Sequence, residues 1–289
     1  MISLEGRIAI VTGAGSGLGR SYAKALAARG AKVLVNDLGA NVDGGGHDAS
    51  SAQSVADEIV ADGGCAVADH TSVSSPEGGE AIVAHAVEEF GGVDILVNNA
   101  GNIQLSSFAK LDVRRIHEIL DVHLGGAFYV TQPAYRAMVA ARRGRIIFTT
   151  SGVAVFGNYG ASTYAAAKGG VIGLVNVLKL EGARHGIRVN AVAPMAQTRM
   201  TSAGGADLAE YVTLSEQSVS PDLVAPVVVY LASDECELTG EVWSVGSGSI
   251  ARLAALRSPG WFRHPEREGP ITAEQVAAHA ATIRDLEGA

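Results

Sequence analysis

Tyr164 and Lys168 are the residues of this chain whose types and spacing best fit proton-transfer chemistry. They lie four apart in a segment with a helical pattern, residues 162–184, so their side chains share one face. The Y-x-x-x-K spacing alone is common on solvated helix faces. However, the chain has 17 Arg and only 5 Lys, so a compact ammonium at position 168 is unusual for this sequence. Ser151 precedes Tyr164 by 13 residues and directly follows a predicted strand, where the ligand crevice of a parallel sheet lies.

The chemistry open to these three residues is removal of a hydroxyl proton, which the oxidation of an alcohol by hydride transfer requires. A tyrosine with an ordinary pKa of about 10 is a weak base at neutral pH. An ammonium about 4 Å away contributes about 4 kcal/mol at an effective dielectric constant of about 20, or about three pKa units. The pattern therefore predicts Tyr164 as general base, Lys168 as the group that lowers its pKa, and Ser151 as the group that positions the substrate oxygen.

A glycine-rich turn follows the first predicted strand, Arg7–Thr12, and precedes a predicted helix. Its glycines fit T-G-x-x-x-G-x-G, so the backbone can turn tightly, approach a pyrophosphate and present helix N-terminal amides to it. The alternative is an ordinary strand–helix turn, and the position near the start of the chain favours the cofactor interpretation. The predicted cofactor contacts here are Gly13, Ser16, Gly17, Leu18 and Gly19.

Asp37 ends the second predicted strand, 18 residues after Gly19. This is close to the separation expected for an acid that binds the ribose hydroxyls of adenosine, and the alternative is a turn aspartate. A carboxylate here would repel a 2′-phosphate, and the neighbouring residues offer no compensating positive charge. The sequence therefore favours NAD over NADP, with Tyr164 and Lys168 also in contact with the cofactor and Lys168 on its ribose.

Short apolar runs alternate with helical patterns along the chain. The predicted strands are Arg7–Thr12, Lys32–Asp37, Cys65–Ala68, Val93–Asn98, Arg145–Thr149, Ile187–Val192 and Glu241–Val245. Near-continuous apolar strands separated by helices indicate a parallel sheet covered on both faces. The predicted fold is α/β, a single doubly wound Rossmann domain with a seven-stranded parallel sheet and helices on both faces. We expect one dinucleotide-binding and catalytic domain over residues 1–289, in which residues 249–289 form a C-terminal extension for packing or partner contact.

Composition and charge argue against several classes of protein. The chain has 289 residues, 47% of them hydrophobic, and a formal net charge of −8 without a long basic run, so nucleic acid is not an expected partner. No apolar stretch reaches the roughly 18 residues that a membrane helix needs, and no membrane insertion is expected. Cys65 and Cys236 fit two small buried hydrophobes, and the histidines lack metal-ligand spacing, so no metal site is expected. The expected location is the cytoplasm.

Four ordered motifs carry a family resemblance: TGAGSGLG at 12–19, NNAG at 98–101, the serine at 151 and YAAAK at 164–168. With these motifs the sequence resembles the short-chain dehydrogenase/reductase family over essentially its whole length. The resemblance implies that NNAG supports the sheet and the adenosine side of the cofactor pocket, and that residues 193–198 run along the nicotinamide. It also implies a homotetramer built on the helices around residues 113–140 and 160–184. The cofactor contacts that it adds are Asn99, Ala100, Gly101, Pro194 and Thr198.

Two positions depart from the common pattern of this family. His123 stands where most members have Asn, and the resemblance places it among the catalytic residues with its part in proton relay left open. The aspartate that usually faces adenine is replaced within Asp69–Ser72. Ser72 stays a predicted cofactor contact, but no adenine contact is assigned to a side chain there.

Further segments resemble one branch of the family: NDLG at 36–39, VHLGGAF at 122–128, APMAQTRM at 193–200 and Pro-Ile-Thr at 270–272. That branch contains the (3R)-hydroxyacyl-CoA dehydrogenase domain of peroxisomal multifunctional enzyme type 2 and stand-alone bacterial relatives. The resemblance implies an NAD-dependent dehydrogenase of 3-hydroxyacyl-CoA, with an acyl-CoA or sterol-like small molecule as substrate. A hydroxysteroid or other secondary-alcohol dehydrogenase is the alternative within enzymes, and a non-catalytic NAD-binding scaffold is the alternative outside them.

The C-terminal extension carries four arginines, at positions 252, 257, 263 and 267, together with His264. One hypothesis is that these residues, or their copies in a partner subunit, bind the phosphates of CoA. The alternative is a solvated tail that covers a dimer. Replacing Arg257 and Arg263 distinguishes the two hypotheses. Only the first predicts that the substitution raises the KM for CoA esters and leaves the KM for short analogues unchanged.

Overall fold

The structure, a computed structural model, describes residues 1–41, 43–196 and 219–287 of the chain. Its strands are β1 (Ile8–Thr12), β2 (Lys32–Asn36), β3 (Cys65–Asp69), β4 (Ile95–Asn98), β5 (Gly144–Thr149), β6 (Ile187–Met195), β7 (Val242–Gly246) and β8 (Ser249–Leu253). They form one sheet in the order β3-β2-β1-β4-β5-β6-β7-β8, in which β1 to β7 pair in parallel. The predicted Rossmann-type α/β fold is confirmed.

Helices connect the parallel strands. They are α1 (Gly17–Ala27), α2 (Ser50–Ala61), α3 (Pro76–Phe90), α4 (Ile116–Leu120), α5 (Gly126–Ala141), α6 (Val153–Phe156), α7 (Ser162–Gly182), α8 (Ala225–Ala232), α9 (Pro265–Glu268), α10 (Ala273–Ala278) and α11 (Ala280–Arg284). A π-helical turn, Asp121–Gly125, joins α4 to α5. In the part of the chain that the structure describes, no helix has both the length and the apolar character needed to cross a membrane.

The centre of the sheet is apolar on both faces. Successive residues Ala9, Ile10 and Val11 of β1 are completely buried, because helices pack on both sides of this strand. The chain leaves β1 for β2 on one side, and β4 then pairs with β1 on the other side. The connections therefore diverge between β1 and β4, and a crevice forms beyond the carboxyl ends of these two strands. This crevice is where an α/β sheet places its ligand.

The sheet has one more strand than the seven predicted. Ser247 and Gly248 form a two-residue turn with φ of 50° and 78°, which is the hairpin geometry that returns a strand beside its predecessor. The added strand, β8, lies at the sheet edge and is mostly exposed. The sequence of β8 lacks the continuous apolar run that marks the buried strands, so this strand was not predicted.

One cysteine also differs from its predicted environment. Cys236 is buried as expected, but Cys65 is exposed. Cys65 begins β3, which lies at the other edge of the sheet and has one neighbouring strand, β2. An edge position leaves its side chain uncovered, so the prediction of a buried residue was wrong there.

The described chain divides into two compact units, residues 1–252 and 253–289. In the second unit, Thr272 and Gln275 form a reciprocal capping box at the start of α10. Trp261 stacks on His279 with ring centroids 4.0 Å apart, which gives this small unit an aromatic contact of its own. The predicted organisation, one domain with an extension from residue 249, stays a prediction.

Candidate active site

The glycine-rich turn after β1 packs too tightly for any other residue at two positions. Gly13 has a φ of 64°, and a Cβ there would lie 2.7 Å from the Ala100 Cα. At Gly19 a Cβ would lie 2.1 Å from the Gly13 carbonyl oxygen, so the first turn of α1 rests directly on the glycine turn. Ser16 occupies the N-cap position of α1, and the predicted contacts Gly17 and Leu18 begin the helix. The turn therefore brings the free amides of a helix N-terminus to the crevice, where they suit a pyrophosphate.

The Asp37 carboxylate is held against this turn by backbone amides. Its Oδ2 accepts a hydrogen bond from the Gly15 amide at 2.7 Å, and its Oδ1 accepts one from the Gly39 amide at 2.7 Å. These two contacts fix the carboxylate at the end of β2 and leave it further lone pairs for ligand hydroxyls. The position suits a ligand with hydroxyl groups, which can donate hydrogen bonds to a carboxylate.

The NNAG segment ties β4 to the glycine turn. The Thr12 hydroxyl accepts hydrogen bonds from the Asn99 amide at 3.0 Å and the Ala100 amide at 3.1 Å. The Asn99 side chain in turn donates to the carbonyl oxygens of Thr12 and Gly13, both at 3.1 Å. Asn98 donates to the Thr131 hydroxyl on α5 at 2.9 Å. These bonds agree with the supporting role expected of this motif, and they also show a role for Thr12 that its sequence context did not reveal.

Three elements bring the predicted catalytic residues together. Ser151 follows β5, and its hydroxyl lies near enough to the Tyr164 hydroxyl on α7 to lower the pKa of that phenol. One turn further along α7, the Lys168 Nζ lies 5.8 Å from the Tyr164 ring centroid. Lys168 is 4% exposed and donates a hydrogen bond to the Thr149 carbonyl oxygen at 2.7 Å. The Thr150 hydroxyl donates to the Lys168 carbonyl oxygen at 2.9 Å. Residues at the end of β5 therefore hold both the side chain and the main chain of Lys168.

Burial sets the ionisation of this group in the isolated chain. It raises the pKa of Tyr164, an effect that the nearby Ser151 hydroxyl partly offsets. Burial also lowers the pKa of Lys168 to about 7. Desolvation thus disfavours the charged form of both partners, and the lowering of the Tyr164 pKa by Lys168 stays a prediction. The tyrosine needs a further positive charge or hydrogen-bond donor in the crevice before it can act as a base near neutral pH.

His123 lies inside the protein beside Tyr164. It sits in the π-helical turn between α4 and α5, and its ring meets the Tyr164 ring edge-on at a centroid distance of 5.2 Å. Its Nε2 lies 3.0 Å from the Asn102 amide nitrogen and 2.7 Å from the Asn102 carbonyl oxygen. Burial and the nearby Lys168 charge lower the pKa of His123 to about 3. A neutral histidine therefore ties the loop after β4 to the wall of the crevice, and its part in proton relay stays open.

A buried neutral histidine makes the stability of the fold depend on pH, which His123→Asn tests. The unfolded chain binds a proton at an ordinary histidine pKa of about 6.5, whereas the folded chain resists it down to about 3. Unfolding is thus favoured as the pH falls below 6.5. Between pH 7 and pH 5 we expect the free energy of unfolding to fall by about 2 kcal/mol more for the unchanged protein than for His123→Asn. Urea unfolding at the two pH values measures this difference, and equal losses would contradict it.

Three further residues predicted to contact the cofactor, Ser72, Pro194 and Thr198, lie outside the glycine turn and the NNAG segment. The Ser72 hydroxyl lies 2.8 Å from the Ser74 hydroxyl in the loop between β3 and α3, and its contact with a cofactor stays a prediction. Pro194 lies near the end of β6, opposite Val245 of β7. Thr198 lies outside the described residues. The contact of Gly101 with a cofactor also stays a prediction, and a Cβ at this position would lie 2.3 Å from the His123 Cε1.

Asp69 faces inward and already has protein partners. Its carboxylate accepts hydrogen bonds from the Asn36 side chain at 2.7 Å and the Thr71 amide at 3.0 Å, and its Oδ2 lies 2.8 Å from the His85 Nδ1. This agrees with leaving the adenine contact unassigned to a side chain. Across the described residues, no group of three histidine, cysteine, aspartate or glutamate side chains could hold a metal ion.

The fold and this site together define a Rossmann-type α/β protein with a serine, a tyrosine and a lysine beyond the carboxyl ends of its strands. The family model for short chain dehydrogenases matches residues 7–208. The chain belongs to the short-chain dehydrogenase family, as the motifs predicted.

Several named proteins are similar to this chain over nearly its whole length. The chain is 40% identical to a short-chain type dehydrogenase/reductase of Mycobacterium tuberculosis, over 100% of this chain and 98% of the relative. It is 41% identical to peroxisomal multifunctional enzyme type 2 of Drosophila melanogaster, over 99% of this chain and 46% of the relative. A solved structure of a short chain dehydrogenase from Mycobacterium avium matches with a TM-score of 0.82 and 35% identity, over 98% of this chain and 97% of the other. The chain spans only 29% to 46% of the length of several multifunctional relatives.

Proposed function

We propose that this protein oxidises 3-hydroxyacyl thioesters with NAD and reduces 3-oxoacyl thioesters in the reverse direction. The observation that carries the proposal is the placement of Tyr164 and the buried Lys168 one helical turn apart, with the Lys168 Nζ 5.8 Å from the Tyr164 ring centroid and Ser151 nearby at the end of β5. The resemblance to the (3R)-hydroxyacyl-CoA dehydrogenase branch supports the acyl thioester as substrate, as does likeness to relatives named 3-oxoacyl-[acyl-carrier-protein] reductase. The Asp37 carboxylate supports NAD.

The chain's own residues can carry the proton in this reaction. The Ser151 and Tyr164 hydroxyls together bind the substrate oxygen. The hydroxyl proton then passes to the Tyr164 oxygen while the hydride leaves the same carbinol carbon, so alcohol becomes ketone. Bound NAD supplies the hydride acceptor and a positive charge. Lys168, held by the Thr149 carbonyl, supplies a second positive charge and a donor for the ribose hydroxyls, which offsets the desolvation that raises the Tyr164 pKa.

The NAD preference depends on the Asp37 carboxylate, so Asp37→Asn should relax it. We expect kcat/KM with NADP, relative to that with NAD, to rise by about 10- to 100-fold, because a charge repulsion with the 2′-phosphate is removed. Asp48→Asn is the matched control, since Asp48 is an exposed aspartate at the far end of the same glycine-rich loop. A ratio that stays the same in both variants would contradict the assigned role of Asp37.

The substrate class is tested by turnover of the unchanged protein on a short panel. The rates of NADH formation from 3-hydroxybutyryl-CoA, from hydroxysteroids and from simple secondary alcohols distinguish the three candidate substrate classes. We expect kcat/KM to be highest for the hydroxyacyl thioester. Faster turnover of a sterol would favour the hydroxysteroid alternative, and firm NAD binding without turnover on any alcohol would favour the scaffold.

We also propose that the protein forms a homotetramer. Large apolar side chains lie exposed on the two helices that the family resemblance assigns to subunit contacts. Phe128 on α5 is 51% exposed, and Leu180 on α7 is 73% exposed. Association would bury these side chains, and light scattering of the purified protein measures the resulting mass. The cytoplasmic location expected from the sequence stays a prediction, although the Drosophila relative is named as peroxisomal.

A further inference from the structure

A cavity of about 480 Å³ lies beside α7, the helix that carries Tyr164 and Lys168. One of its walls is Thr163, which directly precedes Tyr164 on α7. Another is Asp43, from the glycine-rich loop that follows β2. The other lining residues belong to the segment after β4: Ile103, Gln104, Leu105, Ser106, Lys110, Leu111, Asp112, Arg115 and Ile119. One wall of the cavity therefore belongs to the helix that carries Tyr164, and the other walls extend along the segment after β4.

Two of the four lining charges are compensated by neighbours outside the cavity. Asp112 pairs with Arg114 at 2.9 Å, and Arg115 pairs with Glu118 at 2.8 Å. The third, the Asp43 carboxylate, accepts a hydrogen bond from the Gly45 amide at 3.0 Å. Lys110 ends the short 3-10 turn Phe108–Lys110 and is exposed. In the part of the chain that the structure describes, no carboxylate lies within 4.0 Å of its ammonium.

The lining also carries neutral polar groups between its apolar side chains. Gln104 donates hydrogen bonds to the Asp43 carbonyl oxygen at 3.3 Å and to the Glu118 carboxylate at 2.9 Å, so its amide is fixed in the wall. A hydrocarbon chain would desolvate Gln104, Ser106 and Thr163 without giving them hydrogen bonds. An arm that carries amide groups can pair with them, and an anion at its end can pair with Lys110.

We propose that this cavity binds the phosphopantetheine arm of the acyl thioester and that Lys110 binds its phosphate. The inference rests on the proposed function and adds to it the part of the substrate that is recognised away from the reacting carbon. It places a phosphate contact in the same compact unit as the catalytic residues. The phosphate is common to CoA and to an acyl carrier protein, and the relative kcat/KM of the two thioesters with the unchanged protein identifies the natural carrier.

The test compares two substrates that differ only beyond the pantetheine amides. These are 3-hydroxybutyryl-CoA and 3-hydroxybutyryl-pantetheine, which lacks all the phosphates. In Lys110→Gln we expect the KM for the CoA ester to rise by about tenfold, with kcat nearly unchanged and with the pantetheine ester unaffected. Lys110→Arg should restore the KM to within about threefold, because it keeps the charge. Lys32→Gln is the control, since it removes an exposed ammonium at the start of β2 that does not line the cavity.

Three results would overturn the inference. An unchanged KM for the CoA ester in Lys110→Gln would do so, and so would an equal rise for both esters, which would indicate a change of shape rather than a lost charge. A KM rise confined to the Arg257→Gln/Arg263→Gln double variant would move the phosphate contact to the C-terminal unit. In all three cases the unchanged protein still turns over both esters, so the proposed function survives. If it turns over neither, the proposed function and this inference fail together.

Discussion

Replacing Tyr164 with phenylalanine should lower kcat by about 10²- to 10⁴-fold, the range of a lost general base. The phenyl ring keeps the edge contact with His123, so the packing of α7 is preserved and the hydroxyl alone is lost. Binding of NADH, measured by fluorescence titration, should stay within about threefold of the unchanged protein.

Tyr159→Phe provides the matched control for this experiment. Tyr159 lies five residues before Tyr164, is 81% exposed and contributes nothing to the proposed proton transfer. Its variant should keep full activity. Equal activity of Tyr164→Phe and the unchanged protein would remove Tyr164 from the reaction and, with it, the proposed mechanism.

Replacing Lys168 with methionine should have the second largest effect. Methionine fills much of the same space, but it removes the positive charge that offsets the burial of the Tyr164 phenolate. The charge contributes about 4 kcal/mol at an effective dielectric constant of about 20, so we expect kcat to fall by about 10²- to 10³-fold. The KM for NAD should also rise, because the ribose loses a donor.

Lys179→Met makes the same substitution two turns or more further along α7, away from the crevice. We expect it to retain activity. If Lys168→Met kept both its kcat and its KM for NAD while Tyr164→Phe lost activity, the tyrosine would have to be activated by another group.

The elements that position the site could be predicted from local pattern. Buried strands such as β1 and β4 are continuous apolar runs, and each ends at a motif whose spacing points to the crevice. Tyr164 and Lys168 share a helix, so their proximity follows from helical periodicity alone. The glycine turn could be predicted from its T-G-x-x-x-G-x-G pattern. The structure adds the physical reason at Gly13, because packing against Ala100 leaves no room for a side chain there.

Properties that depend on burial and on distant partners could not be predicted in this way. The pKa values of Tyr164 and Lys168 are set by desolvation, which the sequence does not reveal. The contact of His123 with Asn102 joins residues 21 apart through a π-helical turn. The cavity beside α7 is assembled from three separate segments, and only the fold shows that Lys110 lines it with no carboxylate of the described residues within 4.0 Å.

The central claim is that Tyr164 acts as a base whose ionisation depends on Lys168, and the pH dependence of kcat/KM tests it most directly. The measurement uses 3-hydroxybutyryl-CoA at saturating NAD, with the unchanged protein and Lys168→Met. For the unchanged protein we expect kcat/KM to rise with pH to a plateau, with a midpoint below the ordinary tyrosine pKa of about 10. In Lys168→Met the midpoint should move upward. A kcat/KM that does not vary with pH, or the same midpoint in both proteins, would contradict the claim.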